Sequence, residues 1–506
     1  MSMTKLGAAA AVGFIGVMAA LPAQAQSAGS DAKIALLEAQ LKLMEQKLDQ
    51  LSKQTQANTS AAASANARAA TASATATTAS AKADAKVNVV ANANAAYPTK
   101  GPILPVSGAY VKMPGNRPTI CTDDNRNCVA ITSRLHLDAG GYDYRPNSAG
   151  TTPQQAQNGV LARRARIGLL GTFAGDWDYA LIYDFGGTPD SASFLENAFI
   201  TYKGIKNLYI DGGYLDVPYT LDEATSSNNI TFIERASAQT IATNIASGDN
   251  RAAVGFHANG DWWWVGSYFT GPSSTFSHSL RPQTGATARG VVVPVNNEVG
   301  SFIIGADAQF LFDTGGAIGT NNLASFSDRI ESRIDPATNA LLNANTFLTN
   351  VKGVQVFSGE AAGQIGSFYA QGEYFDYNVE RFPGFADGHF TGGYAQASYV
   401  LTGEKRKYNP VTASYGGVNP VNPANWQSGN WGAWEVAARY SQMTLNDQNI
   451  RGGELKSSTV GVNWYVNTNI RFMFNWGHGQ VDKATAANLD IGAHYDVYSM
   501  RTQVAF

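Results

Sequence analysis

From about residue 133 to the end of the chain, apolar and polar side chains alternate in short runs. The stretch "TVGVNWYVN" places Val460, Val462, Trp464 and Val466 on one face, with Thr459, Gly461, Asn463 and Tyr465 on the other. "IRFMFNWGH" sets Ile470, Phe472, Phe474 and Trp476 against Arg471, Met473, Asn475 and Gly477. "SFIIGADAQFLF" and "RAAVGFHA" do the same, with Asp307, Gln309, Arg251 and His257 on their polar sides. A strand turns successive side chains to opposite faces, so each run predicts a β-strand with one apolar face. About fifteen such runs occur, most near the ten residues that a tilted strand needs to cross a bilayer.

Tight turns ("AGDW", "NGDW", "NTN") alternate with long polar connections, of which 271–299 and 402–431 are examples. That asymmetry predicts short periplasmic turns and long external loops. The final run ends on Phe506, whose phase also holds Val504, Thr502, Met500 and Tyr498. No apolar run after residue 25 reaches the length of a spanning helix, so strands in a bilayer must close on themselves. The expected fold is all-β, a transmembrane antiparallel β-barrel over 133–506. Its strand number is about sixteen, with eighteen as the alternative, because bacterial barrels are usually even. A secreted β-sandwich would also alternate, but its apolar face would turn inward and its strands would be shorter.

The N-terminal quarter has other rhythms. Lys5, a short apolar core and small residues at Ala23 and Ala25 read as a signal peptide over 1–25. Ile34, Leu37, Leu41, Met44, Leu48 and Leu51 recur at gaps of three and four, a coiled-coil seam in a helix over 31–54. Residues 57–96 are Ala, Ser, Thr and Asn with no aromatic side chain, the composition of a disordered linker. A pre-barrel segment, 97–132, carries both cysteines. Outside the cytoplasm, Cys121 and Cys128 predict a disulfide; two thiols beside Asp123 and Asp124 make a poor metal site, and no metal or other cofactor is expected.

Composition narrows the function. Charged residues are 15% of the chain, against roughly 25% in a typical soluble domain, and the net charge of −3 calls for no nucleic-acid partner. The six histidines are dispersed, and no Gly-x-Ser-x-Gly, HExxH or phosphate-loop pattern appears, so no enzyme is expected.

The blocks "RRARIGLLGTFAGDWDYALIYDFG", "NAFITYKGIKNLYIDGGYLDVPYTLDEATSSNNITFIERA" and "GGYAQASYVLTGEKRKYNP" resemble the phosphate-selective porin O and P family over about 130–506. The resemblance implies an outer-membrane porin, a homotrimer whose third external loop folds inward to narrow each pore. Asp216–Asn250 would be that loop. Glu234 and Arg235 would line the narrowing, or would pair with each other or the wall and hold the loop. Guanidinium groups can replace an anion's hydration. In "LARRARIG", Arg164 and Arg166 share one phase and would reach the lumen if Ile167 and Leu169 face lipid, whereas Arg163 would sit near an interface. Arg251, Arg439, Arg471 and Arg501 are further lumen candidates, mixed with Asp138, Asp178, Asp307, Glu373 and Glu435 rather than set densely along one path. The expected partners are outer-membrane lipid, small hydrophilic solutes or anions, and the barrel-assembly machinery through Phe506. The alternative function is a barrel-anchored tether or adhesin, suggested by the periplasmic helix and linker.

Overall fold

The structure, a computed structural model, describes residues 108–147, 156–186, 194–273, 282–315, 325–335, 341–485 and 489–506, with isolated positions at 338, 487 and between 42 and 56. The signal peptide, the heptad seam and the linker lie outside the described residues. Those described between Lys42 and Gln56 are helical and exposed, and Asp49 and Lys53 pair one turn apart.

Alternation resolves into sixteen barrel strands: β1 Cys128–Pro146, β2 Gly159–Phe173, β3 Trp177–Asp184, β4 Phe194–Ile205, β5 Leu208–Val217, β6 Gly248–Asn259, β7 Trp263–Thr270 and β8 Thr284–Asn296. The remainder are β9 Gly300–Asp313, β10 Val351–Ile365, β11 Phe368–Arg381, β12 Gly388–Val400, β13 Ala433–Asp447, β14 Ile450–Tyr465, β15 Ile470–Asp482 and β16 Ala493–Ala505. Every neighbour pairs antiparallel, and β16 closes on β1 through a register that sets Arg501 opposite Asp138 and Val504 opposite Leu135. A hairpin of Ala109–Lys112 and Thr119–Thr122 precedes the barrel and pairs with the start of β1. The Cys121–Cys128 disulfide joins it to that strand.

The two faces follow the sequence phases. Ile167, Leu169, Leu181, Ile200, Phe256, Phe302, Phe474 and Tyr498 stand exposed on the outside, where lipid covers them. Wall arginines and carboxylates point inward and are buried.

Three expectations change. The segment 284–296 is strand β8, so only 271–283 remains of the connection expected at 271–299. The connection 401–432 follows the twelfth strand. In a closed meander it therefore shares an end with the tight turns 174–176, 206–207, 260–262 and 366–367, not with the external loops. Composition cannot reveal this, but parity does.

The interior is also not uniformly polar. Helix α1 (Leu221–Ala224) and helix α2 (Ser237–Ala246) belong to the long connection after β5. Ile241, Ala242 and Ile245 of α2, with Phe326, Leu342 and Leu348 from the connection after β9, pack on Val354, Val356, Phe375, Phe390 and Met443. This apolar core lies inside the barrel, against strands from β9 round to β16. At Gly392 a Cβ would come within 2.8 Å of Ala238, so the glycine admits the helix.

Candidate functional site

The alternation that makes β2 a strand breaks at one residue. Register with β1 runs Arg164 opposite His136 and then Ala162 opposite Leu137, leaving Arg163 unopposed in a bulge. The bulge re-aims Arg163 to the inside, where its Nε donates to Glu234 Oε1 at 2.8 Å. Arg163 therefore does not sit near an interface: strict two-residue periodicity fails where an extra residue is inserted. Arg164 and Arg166 keep the inward phase and are both buried.

Glu234 is the hub of the narrowing. Besides Arg163 it accepts from Arg501 Nη2 at 2.9 Å, and Arg333 approaches to 3.9 Å. Arg501 spends two further donors on Asp138, each at 2.7 Å. Burial alone would raise the Glu234 carboxyl pKa; Arg163, Arg501, Arg164 and Arg333 together overcome it and hold the group well below the ordinary glutamate range.

The other predicted side chains divide by what they grip. Arg439 donates to the Glu234 carbonyl and to Glu331, both at 2.8 Å, and stacks on Phe232. Arg471 donates to the Ile230 carbonyl at 2.8 Å, beside Asn463, which donates to that of Thr231. Each of these bonds fastens the inward-folded segment to the wall. Arg166 pairs with Asp184 at 2.7 Å and with Glu196. Arg235 turns back on its own segment, to the Asp222 and Thr225 carbonyls and the Asp222 carboxylate. Arg251 clamps the far end of that segment through the Ser247 and Gly271 carbonyls and Gln283, away from the others.

Arg164 differs from all of these. It is 3% exposed, and among the described residues its guanidinium makes no hydrogen bond and no ion pair. Its charged neighbours are Arg163, Arg166, Arg501 and Glu234. The fold thus gathers arginines far more densely than their sequence spacing suggests.

Four contributors were missed. Arg333 and Glu331 sit in "SDRIESRID", where charges alternate around the inward Ile330; that pattern in a long connection is the signal to look for. Arg289 and Arg406 hold the 401–432 connection. Arg289 pairs with Glu360 at 2.8 Å and donates to the Thr412 and Ala413 carbonyls. Arg406 forks onto Glu435 and reaches the Asn229 carbonyl at 2.7 Å.

Space remains on one side. A narrow cavity of 20 Å³ lies among Asp138, Glu234, Glu331, Arg333 and Arg439. A wider one of 320 Å³ opens at the end bearing the tight turns, between Asn228, Arg471, Gln503 and the pre-barrel hairpin. Both touch β14–β16.

A closed sixteen-strand barrel with an apolar exterior, an inward-folded segment after its fifth strand and charged residues at the narrowing is an outer-membrane porin. Comparison with known proteins gives the family. The phosphate-selective porin O and P family matches residues 129–506, and the chain belongs to it. Porin O of Pseudomonas aeruginosa is 26% identical over 404 residues, covering 73% of this chain and 87% of that protein. An uncharacterised protein of Caulobacter vibrioides is 25% identical over 408 residues, covering 76% and 78%. Among solved structures, an anion-selective porin from Comamonas acidovorans superposes with a TM-score of 0.43 at 12% identity, over 75% of this chain and all of that one.

Proposed function

We propose that this porin passes small hydrophilic anions passively down their gradients, along the side of the lumen formed by β14–β16, β1 and β2. The observation that carries the reading is Arg164, a buried cation with no acceptor among the described residues. Removing a charge from water is costly unless something compensates it, and an anion in transit supplies that compensation. Arg163 and Arg501 share Glu234, and Arg333 lies between Glu234 and Asp328, without saturating every donor: among the described residues Arg501 Nη1 also lacks a partner. Partial compensation favours entry and still permits release.

The assembly follows the family: a homotrimer in outer-membrane lipid, with Phe506 presented to the barrel-assembly machinery and the N-terminal helix in the periplasm. The tether reading gains no support from the lumen, which carries this apparatus.

Single-channel recording in a planar bilayer under a salt gradient tests the reading. The wild-type pore should show an anion-favouring reversal potential and saturable block of chloride current by orthophosphate. Arg164→Gln should move the reversal potential toward zero. Wild-type channels with no anion preference would overturn the proposal.

A further inference from the structure

We infer that the hairpin before the barrel is part of the pore: its turn carries Arg117 into the periplasmic mouth, where Arg117 and Arg471 form an exit subsite for small oxyanions. The residues matched by the family begin at 129, so Arg117 lies outside the matched span.

The 320 Å³ cavity at that mouth is bounded by Pro114, Gly115 and Arg117 of the hairpin turn, with Asn228, Arg471 and Gln503 of the lumen. Arg117 is half-buried, and among the described residues its guanidinium has no hydrogen bond and no ion pair; its Nε is shielded from water. Burial also lowers its pKa somewhat below the ordinary arginine range. Arg471 spends its terminal nitrogens on the Asn228, Ile230 and Thr231 carbonyls, while its Nε stays unpartnered and buried. Two cations therefore face one cavity. The carboxylate nearest Arg471 is Glu435, which Arg406 already engages, and the Phe506 oxygen bordering the cavity accepts from Ser133 N and Thr132 Oγ1.

The turn does not hang freely. Asn116 Nδ2 donates to Asn469 Oδ1 and reaches Thr468, in the short turn between β14 and β15. Ile131 N bonds the Pro118 carbonyl, and the Cys121–Cys128 disulfide fixes the strand behind it. These contacts hold Arg117 at the rim, across from Asn228 of the inward-folded segment. An anion leaving the narrowing meets this pair before the periplasm.

The inference rests on the anion-preferring reading, and the experiment separates the two. Channels inserted in one orientation are recorded in chloride, with orthophosphate added to either side, for the wild type, Arg117→Gln and Asn116→Ala. Arg117→Gln should raise the half-blocking phosphate concentration from the periplasmic side by roughly twofold to fivefold, the scale of a partly exposed charge contact. Block from the external side should not change. Asn116→Ala, which keeps the charge and frees the turn, should weaken periplasmic block to a lesser degree. A wild-type pore that phosphate blocks from both sides, with Arg117→Gln indistinguishable from it, overturns the exit subsite alone. A wild-type pore blocked from neither side overturns the anion reading beneath it.

Discussion

Two regions of the lumen use the same residue types to opposite ends. On the β8–β13 wall, Arg289 and Arg406 are fully satisfied: one by Glu360, two carbonyls and the Trp264 ring, the other by a bidentate Glu435, two carbonyls and the Tyr369 ring. They fill their half of the barrel by fastening the 401–432 connection into it. Across the lumen, Arg164, Arg471 and Arg501 each keep at least one buried nitrogen without a partner among the described residues. Saturated arginines act as rivets; unsaturated ones leave a field for something mobile. Lumen charge alone does not distinguish the two, but the acceptors around each guanidinium do.

The largest contrast should come from deleting one charge on each side. Arg406→Ala removes the ion-pair partner of buried Glu435 and leaves it Arg471 and three neutral donors, at a cost of up to about 3–5 kcal/mol. Its barrel should lose heat-resistant mobility on gels at a markedly lower temperature. Arg164→Gln removes a charge that makes no hydrogen bond or ion pair among the described residues, so its melting should match or exceed the wild type while its reversal potential shifts. Equal destabilisation by both variants would erase the distinction.

Acidification probes the boundary between the regions. The Glu234 pKa is depressed in the folded protein, so its stabilising contribution is complete above the ordinary glutamate value near 4.5 and fades only as pH falls through the lower folded value. Conductance and current noise should stay flat from neutral pH to about 5 and change only well below that. Glu234→Gln should show the low-pH behaviour already at neutral pH. Smallest of all, Trp264→Phe removes one hydrogen bond to the Val411 carbonyl, a loss of about 1 kcal/mol. It should lower the melting temperature slightly and leave selectivity alone.

Much of the barrel was legible because lipid on one side and charge on the other enforce a two-residue period. Arg471 and Arg501 could be placed inside from their neighbours Phe472 and Met500. Arg163 could not, since a bulge leaves no mark in an arginine-rich run. Nor could alternation foretell that Val354, Phe375 and Met443 face inward, because they satisfy the period from the opposite side; only the apolar faces of α2 and the 325–350 region explain them. The 401–432 connection was assigned to the wrong end for a related reason. Gly, Asn and Pro mark a loop but carry no address, whereas counting strands supplies one.

The Arg501–Asp138 pair joins residues 363 positions apart, and it spans the seam where β16 meets β1. Glu234, from the middle of the chain, docks on that same arginine. The cluster around Glu234 is thus also the clasp of the barrel. Until the last strand arrives, Glu234 lacks one of its main counter-ions and the narrowing has no finished wall. A chain without its last strand would therefore lack the closing wall and this charge cluster together.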